Sequence, residues 1–332
     1  MRIFLILFCV SFFALSCEKL LLRKGTNNSS EFLFQELWTD IHNRYAYFEE
    51  KSVDWEAIRL QYASMISEKM TEEELFELLA DMLFELEDGH VNLTSTFNRS
   101  RNWDWFQDYP LNYNQNLIGQ HYLGKDFWIT GPLRHMIIDS VLYVNYRSFM
   151  DELTAEHMDE IINRAKSLNG VIVDVRSNGG GSLANARMLA SAFTDEAYTY
   201  GKTRIKTGGC SDCFSAWNDQ RLLPKSGERF LGDVVVLTNR SSYSSTTYFA
   251  QMMRMLPNAK LVGDKTGGGG GTPAYGELSN GWLYRFSSTQ FIDNEGFHLE
   301  FGVPVDTEVS MNESDELNEI DSIIEYAVEL LK

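Results

Sequence analysis

The chain has 332 residues, enough for one large domain or two modest ones at about 150 residues each. Hydrophobic residues make up 44% and charged ones 23%, a globular balance that excludes a disordered chain, a collagen-like repeat and a polytopic membrane protein. With 29 Lys and Arg against 47 Asp and Glu the formal charge is -18, and no basic run offsets it, which excludes a nucleic-acid partner.

Residues 1–16 have the form of a secretory signal: Arg2 is the positive start and 3–15 an apolar run too short to span a bilayer. The run ends in Ala14-Leu15-Ser16-Cys17, which resembles a bacterial lipobox. That resemblance implies cleavage before Cys17 and lipidation of its sulfur, with 17–30 as tether and the protein anchored in the cell envelope. Cys9 leaves with the signal, so Cys210 and Cys213 remain. A structural zinc site needs four ligands and no second pair exists; a local disulfide is the expectation in an oxidising periplasm. No metal or cofactor is expected.

Residues 31–90 are expected to form a small helical domain. Phe32, Leu33, Leu37 and Ile41 recur at helical spacing, as do Ile58, Tyr62, Met65 and Ile66. A third helix starts at Thr71 with Glu74 three residues on, a capping box, and stops at Asp88-Gly89. Residues 92–133 are irregular and aromatic, and short strands are expected there. Residues 91–332 form the second unit, which alternates in the α/β manner. Strands are expected at 141–144, 170–175, 233–237 and 260–263; helices at 156–168, 182–193, 244–256 and, with Ser314 as cap, 314–331.

Three segments place polar groups where regular elements end. Asp174-Val175-Arg176-Ser177-Asn178-Gly179-Gly180-Gly181 follows a buried strand, and its glycines leave amides open to an anion or oxyanion. It lacks the Gly-Lys-Ser/Thr ending of a phosphate loop. Residues 239–247 join a strand to a helix, where a serine serves as cap or as nucleophile in the field of the helix N-terminus; the hydroxyls of 241–247 leave the choice open. A serine nucleophile needs a base, and the histidines are His42, His90, His121, His135, His157 and His298. His90 follows a helix-ending glycine in Asp88-Gly89-His90-Val91 and ranks first. His298 ranks second, on an apparent strand that would turn it to the same side as Glu300.

Taken in order, Asp88-Gly89-His90-Val91, Asp174 to Gly181, Ser242-Tyr243-Ser244-Ser245, Val262-Gly263-Asp264-Lys265-Thr266-Gly267-Gly268 and Gly302-Val303-Pro304-Val305-Asp306 resemble the S41 serine peptidases, the tail-specific and tricorn-like proteases. The resemblance covers about 31–330. It implies an α/β fold with a crotonase/ClpP-like ββα core, Ser244 as nucleophile, and the amides of Ser245, Gly179 and Gly180 as oxyanion hole. The general-base Lys of the tail-specific branch would fall near Gly269, where none stands. The tricorn-like branch uses a histidine, which implies His90 as base and Glu300 as the group that steadies it. The span between Val91 and Met136 is about half what a PDZ domain needs, so none is expected. The implied activity is hydrolysis of peptide or unfolded-protein substrates; the rival reading is an inactive relative that binds peptides or hydrophobic ligands.

Overall fold

The computed structural model describes residues 28–332. The expected signal, Cys17 and most of the tether lie outside the described residues.

Buried apolar strands flanked by amphipathic helices build the centre. β4 (Val141–Asn145), β5 (Gly170–Asp174), β8 (Asp233–Thr238) and β9 (Ala259–Gly263) pair in parallel, with β13 (Thr307–Glu308) beyond β9. β2 (Trp128–Thr130) and β3 (Leu133–Ile138) extend the other edge antiparallel, giving the order β13-β9-β8-β5-β4-β3-β2. Every residue of β4 and β5 is buried, as a parallel sheet covered on both faces requires. Alternation divides the layers. Val171 and Val173 pack toward α4 (Ala155–Ala165), α5 (Leu183–Ser191) and α6 (Ser245–Arg254), while Tyr143 and Ile172 pack toward α7 (Ser322–Leu330).

The N-terminal helices are α1 (Ser30–Arg44), α2 (Trp55–Ala63) and α3 (Glu72–Phe84), and the Thr71–Glu74 capping box opens α3. Their apolar stripes share one cluster with Leu278, Trp282, Tyr284 and Phe286. Those four belong to the region of a small antiparallel sheet, β1 (Asn92–Thr94), β11 (Leu283–Ser287) and β10 (Pro273–Glu277). The helices are therefore cemented to a distant hairpin, and β1 carries the segment around His90 onto that sheet. A further sheet consists of β6 (Tyr198–Ile205), β7 (Asn218–Leu222) and β12 (Thr289–Ile292).

Two expected stretches differ. Residues 92–133 hold β1 and β2 but are otherwise short helical turns at Asp104–Gln107, Gln115–Leu117 and Ile118–Leu123; the Asn114 side chain accepts from the Asn116 and Leu117 amides and so starts a helix. The closing segment is two helices, not one capped by Ser314. Asn312 caps Glu313–Leu317, Glu319 takes a positive φ of 65°, and Asp321 caps α7.

That second cap is also electrostatic. Arg176 Nη2 lies 2.7 Å from Asp174 Oδ2 and 3.0 Å from Asp321 Oδ2, with all three side chains sealed from solvent. The triad ties the end of β5 to α7. Arg176→Met would leave two buried carboxylates without their cation, and we expect a loss of about 3–5 kcal/mol in urea unfolding. A loss below about 1 kcal/mol would show that the triad does not lock this end of the sheet.

Candidate active site

β5 and β8 lie side by side, and their carboxyl ends deliver the glycine turn and the serine-rich turn to one place. Ser244 takes the cap position of α6 with φ 58° and ψ −120°, a conformation serine rarely adopts. The hydroxyls that looked equivalent in sequence have separate work. Ser242 Oγ donates to the Val175 carbonyl, Ser245 Oγ to Gly181, Thr246 Oγ1 to the Asn178 side chain and Thr247 Oγ1 to the Gly268 carbonyl. The first three knit the two turns together, and the fourth ties the serine-rich turn to Gly268. Ser244 makes no cap bond; its Oγ is 3.0 Å from His90 Nε2.

Close approach of the turns explains Gly180. A Cβ there would stand 2.6 Å from the Tyr243 carbonyl oxygen and 2.9 Å from Ser244 Cβ, and its φ is +96°. Its amide is not an open donor, because it donates to Asn178 Oδ1 at 3.0 Å. This corrects the expected oxyanion set. Among the described residues the Gly179 and Ser245 amides find no acceptor, and both residues line the cleft, with Ser245 at the N-terminus of α6. The cleft measures about 920 Å³.

His90 reaches Ser244 because its backbone is held on three sides. Its amide donates to Asp88 Oδ1 at 2.8 Å, and its carbonyl accepts from Asn92 Nδ2 at 3.1 Å and Arg285 Nε at 2.8 Å. On the far side of the ring Nδ1 lies 3.4 Å from Ser287 Oγ. Glu300 does not fill that place. It sits on a 3-10 turn, Leu299–Phe301, for which His298 is the cap, not on a strand shared with His298. Glu300 Oε1 is 2.8 Å from Lys51 Nζ, the buried cation that competes for it. The other histidines are engaged elsewhere: His42 stacks on Trp38, His121 meets Glu319, His135 meets Thr130, His157 caps α4 and His298 faces Glu50.

Asp88 is the group the sequence reading passed over, though it stands in the quoted motif. Burial works against its charge most strongly. Lys51, His90, the His90 amide and the Ser287 hydroxyl together outweigh burial and hold the carboxyl below its ordinary value. The Ser287 and Tyr45 hydroxyls bear on it loosely, and Oδ2 has no partner at close hydrogen-bond distance. Glu300 is pushed up to about 7, first by burial and also by Asp88, against the pull of Lys51. His90 is pushed down to about 4, chiefly by burial and further by Arg285 and Lys51, while Asp88 opposes the shift. The imidazole is thus neutral across ordinary pH, with Nε2 able to accept the Ser244 proton when Nδ1 carries the other. Ser287 and Lys51 carry no sequence signal, since nothing local marks a serine 197 residues from its histidine. The Cys210 and Cys213 sulfurs are joined to each other, so neither is left as a metal ligand.

The family model described as Peptidase family S41 matches residues 140–309, and that described as Tricorn protease C1 domain matches 27–84. A Parabacteroides merdae protein of known crystal structure, described as a putative peptidase, is 39% identical, with a TM-score of 0.88 over 92% of this chain and 97% of that one. Mature CPAF is 12% identical at a TM-score of 0.66, over 91% of this chain and 97% of that chain, a likeness of fold. A Staphylococcus haemolyticus protein named as a probable CtpA-like serine protease is 26% identical over 192 residues, 57% of this chain. The match spans 37% of that relative's length.

A proton titration of His90 by NMR tests the electrostatics directly. The midpoint is expected near pH 4, well below the 6.5 of an unperturbed imidazole. A midpoint at or above 6.5 would show the ring to be solvated and the buried charge set to be wrongly drawn.

Proposed function

Because the chain belongs to peptidase family S41, we propose that it is a serine endopeptidase in which Ser244 attacks the peptide carbonyl and His90 takes its proton. The 3.0 Å separation of His90 Nε2 and Ser244 Oγ carries this reading. As the oxygen adds, the new oxyanion falls to the amides of Gly179 and Ser245, in the field of the α6 N-terminus. One such donor contributes about 3–4 kcal/mol of barrier lowering. His90 becomes imidazolium; Nδ1–H points to Ser287, whose hydroxyl passes its own hydrogen bond toward Asp88. The buried carboxylate thereby steadies the cation and keeps the ring turned with Nε2 toward the nucleophile, the part the sequence reading gave to Glu300. His90 then protonates the leaving amine, and water attacks the acyl-enzyme with His90 again as base.

The rival reading, an inactive relative that binds peptides or hydrophobic ligands, drew its support from the missing lysine. An imidazole in bonding contact with the serine removes that support. Attachment to the cell envelope through a lipid on Cys17 belongs to the same proposal. Among the described residues no helix is long and apolar enough to cross a membrane. Cys17→Ser should move the protein from the membrane fraction to the soluble one; unchanged fractionation would discard the anchor.

A fluorophosphonate probe and a fluorogenic peptide test the chemistry. Ser244→Ala should abolish labelling, and Ser244→Ala or His90→Ala should each lower kcat by about 10⁴–10⁶-fold. Because the base must be neutral, kcat/KM of the wild type should rise with pH through about 4 and show no further ascent near 6.5. Labelling or turnover that survives Ser244→Ala would remove this assignment.

A further inference from the structure

The chain carries 47 acidic residues, yet none lines the catalytic cleft. Three arginines do: Arg99, Arg101 and Arg285. They are scattered in sequence and the small sheet assembles them. Arg285 of β11 pairs with Asn92 of β1 on one side and Tyr275 of β10 on the other, and cross-strand partners share a face. The chain then turns back along β1, with Arg99 bridging Thr94 and the Ser100 amide bonded to the Leu93 carbonyl, so Arg99 and Arg101 come to the same wall.

None of the three meets a carboxylate. No ion pair among the described residues includes them. Arg285 spends Nε on the His90 carbonyl, and Arg101 lies over the Trp103 ring at 5.1 Å. Arg99 is pushed below its ordinary value by partial burial and then by the repulsion of Arg101 and Arg285. Like charges left facing one another beside a reactive serine favour an anion between them, and a guanidinium fork matches a carboxylate in geometry as well as charge.

We infer that this wall is a specificity subsite for a substrate carboxylate, formed by Arg99 and Arg101 with Arg285 behind them. The inference rests on the peptidase reading for the substrate being a peptide. The carboxylate is either an acidic side chain near the scissile bond or the peptide's own C-terminus.

Three labelled peptides of one length separate these sources: one with an internal Glu and an amidated end, one with Gln and an amidated end, and one with Gln and a free end. Binding is read by fluorescence anisotropy on the Ser244→Ala protein, which keeps the fold and stops turnover. The Glu peptide or the free-ended peptide should bind at least about tenfold tighter than the neutral one, and the preference should shrink as salt rises. Adding Arg99→Gln and Arg101→Gln should bring the three to within about twofold. A tighter Glu peptide assigns the subsite to a side chain; a tighter free end assigns it to the terminus. Equal binding, no binding, or a preference that survives both arginine changes overturns the inference. Wild-type turnover is scored separately: cleavage without acidic preference sinks only the subsite, whereas acidic preference without cleavage sinks only the peptidase reading.

Discussion

The Asp88 carboxylate has no exposure to solvent, and Lys51 together with the His90 backbone amide holds it ionised against burial. A charge in that position is expensive unless it is compensated from several sides, and the compensation fixes geometry. Lys51 is held in turn by Glu300 and by the Glu87 carbonyl. The Asp88 carboxylate takes the His90 amide directly, and Ser287, which bears on Asp88 loosely, stands 3.4 Å from the ring's Nδ1. Moving the histidine would uncouple these contacts together, so the imidazole is held in place although it belongs to a loop.

The α/β core supplies the other half of the constraint. Parallel strands all release their chains at one edge, and the two turns meeting there are stitched by serine and threonine hydroxyls and by a glycine that allows contact. That stitching leaves Ser244 in a strained conformation with its hydroxyl turned out of the helix and toward the imidazole. Neither half is a site alone: Ser244 comes from the sheet and His90 from the helical region. The small sheet β1-β11-β10 joins them, which explains why the N-terminal helices share their core with residues near 280.

Much of the scaffold was legible. The buried runs at 170–174 and 233–238 and the capping box at Thr71 are local signals; the strands and the start of the helix lie where expected, while the helix ends at Phe84, short of Asp88-Gly89. The candidates Ser244 and His90 rested on motif order, and the structure brings them together across 154 residues. What failed was non-local. The sequence shows Glu300 as a carboxylate near the right place but cannot show that Lys51 claims it. Gly180 offers an amide until Asn178 Oδ1 accepts it. The last helix broke because Asp321 is recruited by Arg176, a residue 145 positions away. Each miss is a competition between polar partners that only the assembled fold decides.

The central claim is that Asp88 acts on Ser244 through Ser287 and His90 as one chain of contacts. A double-mutant cycle on Asp88→Asn and Ser287→Ala, read as the second-order rate of inactivation by a fluorophosphonate, tests it most directly. The account predicts that each change slows inactivation and that the pair together is no slower than the worse single change. Effects that multiply as independent losses, or an Asp88→Asn protein that reacts at the unaltered rate, would contradict it.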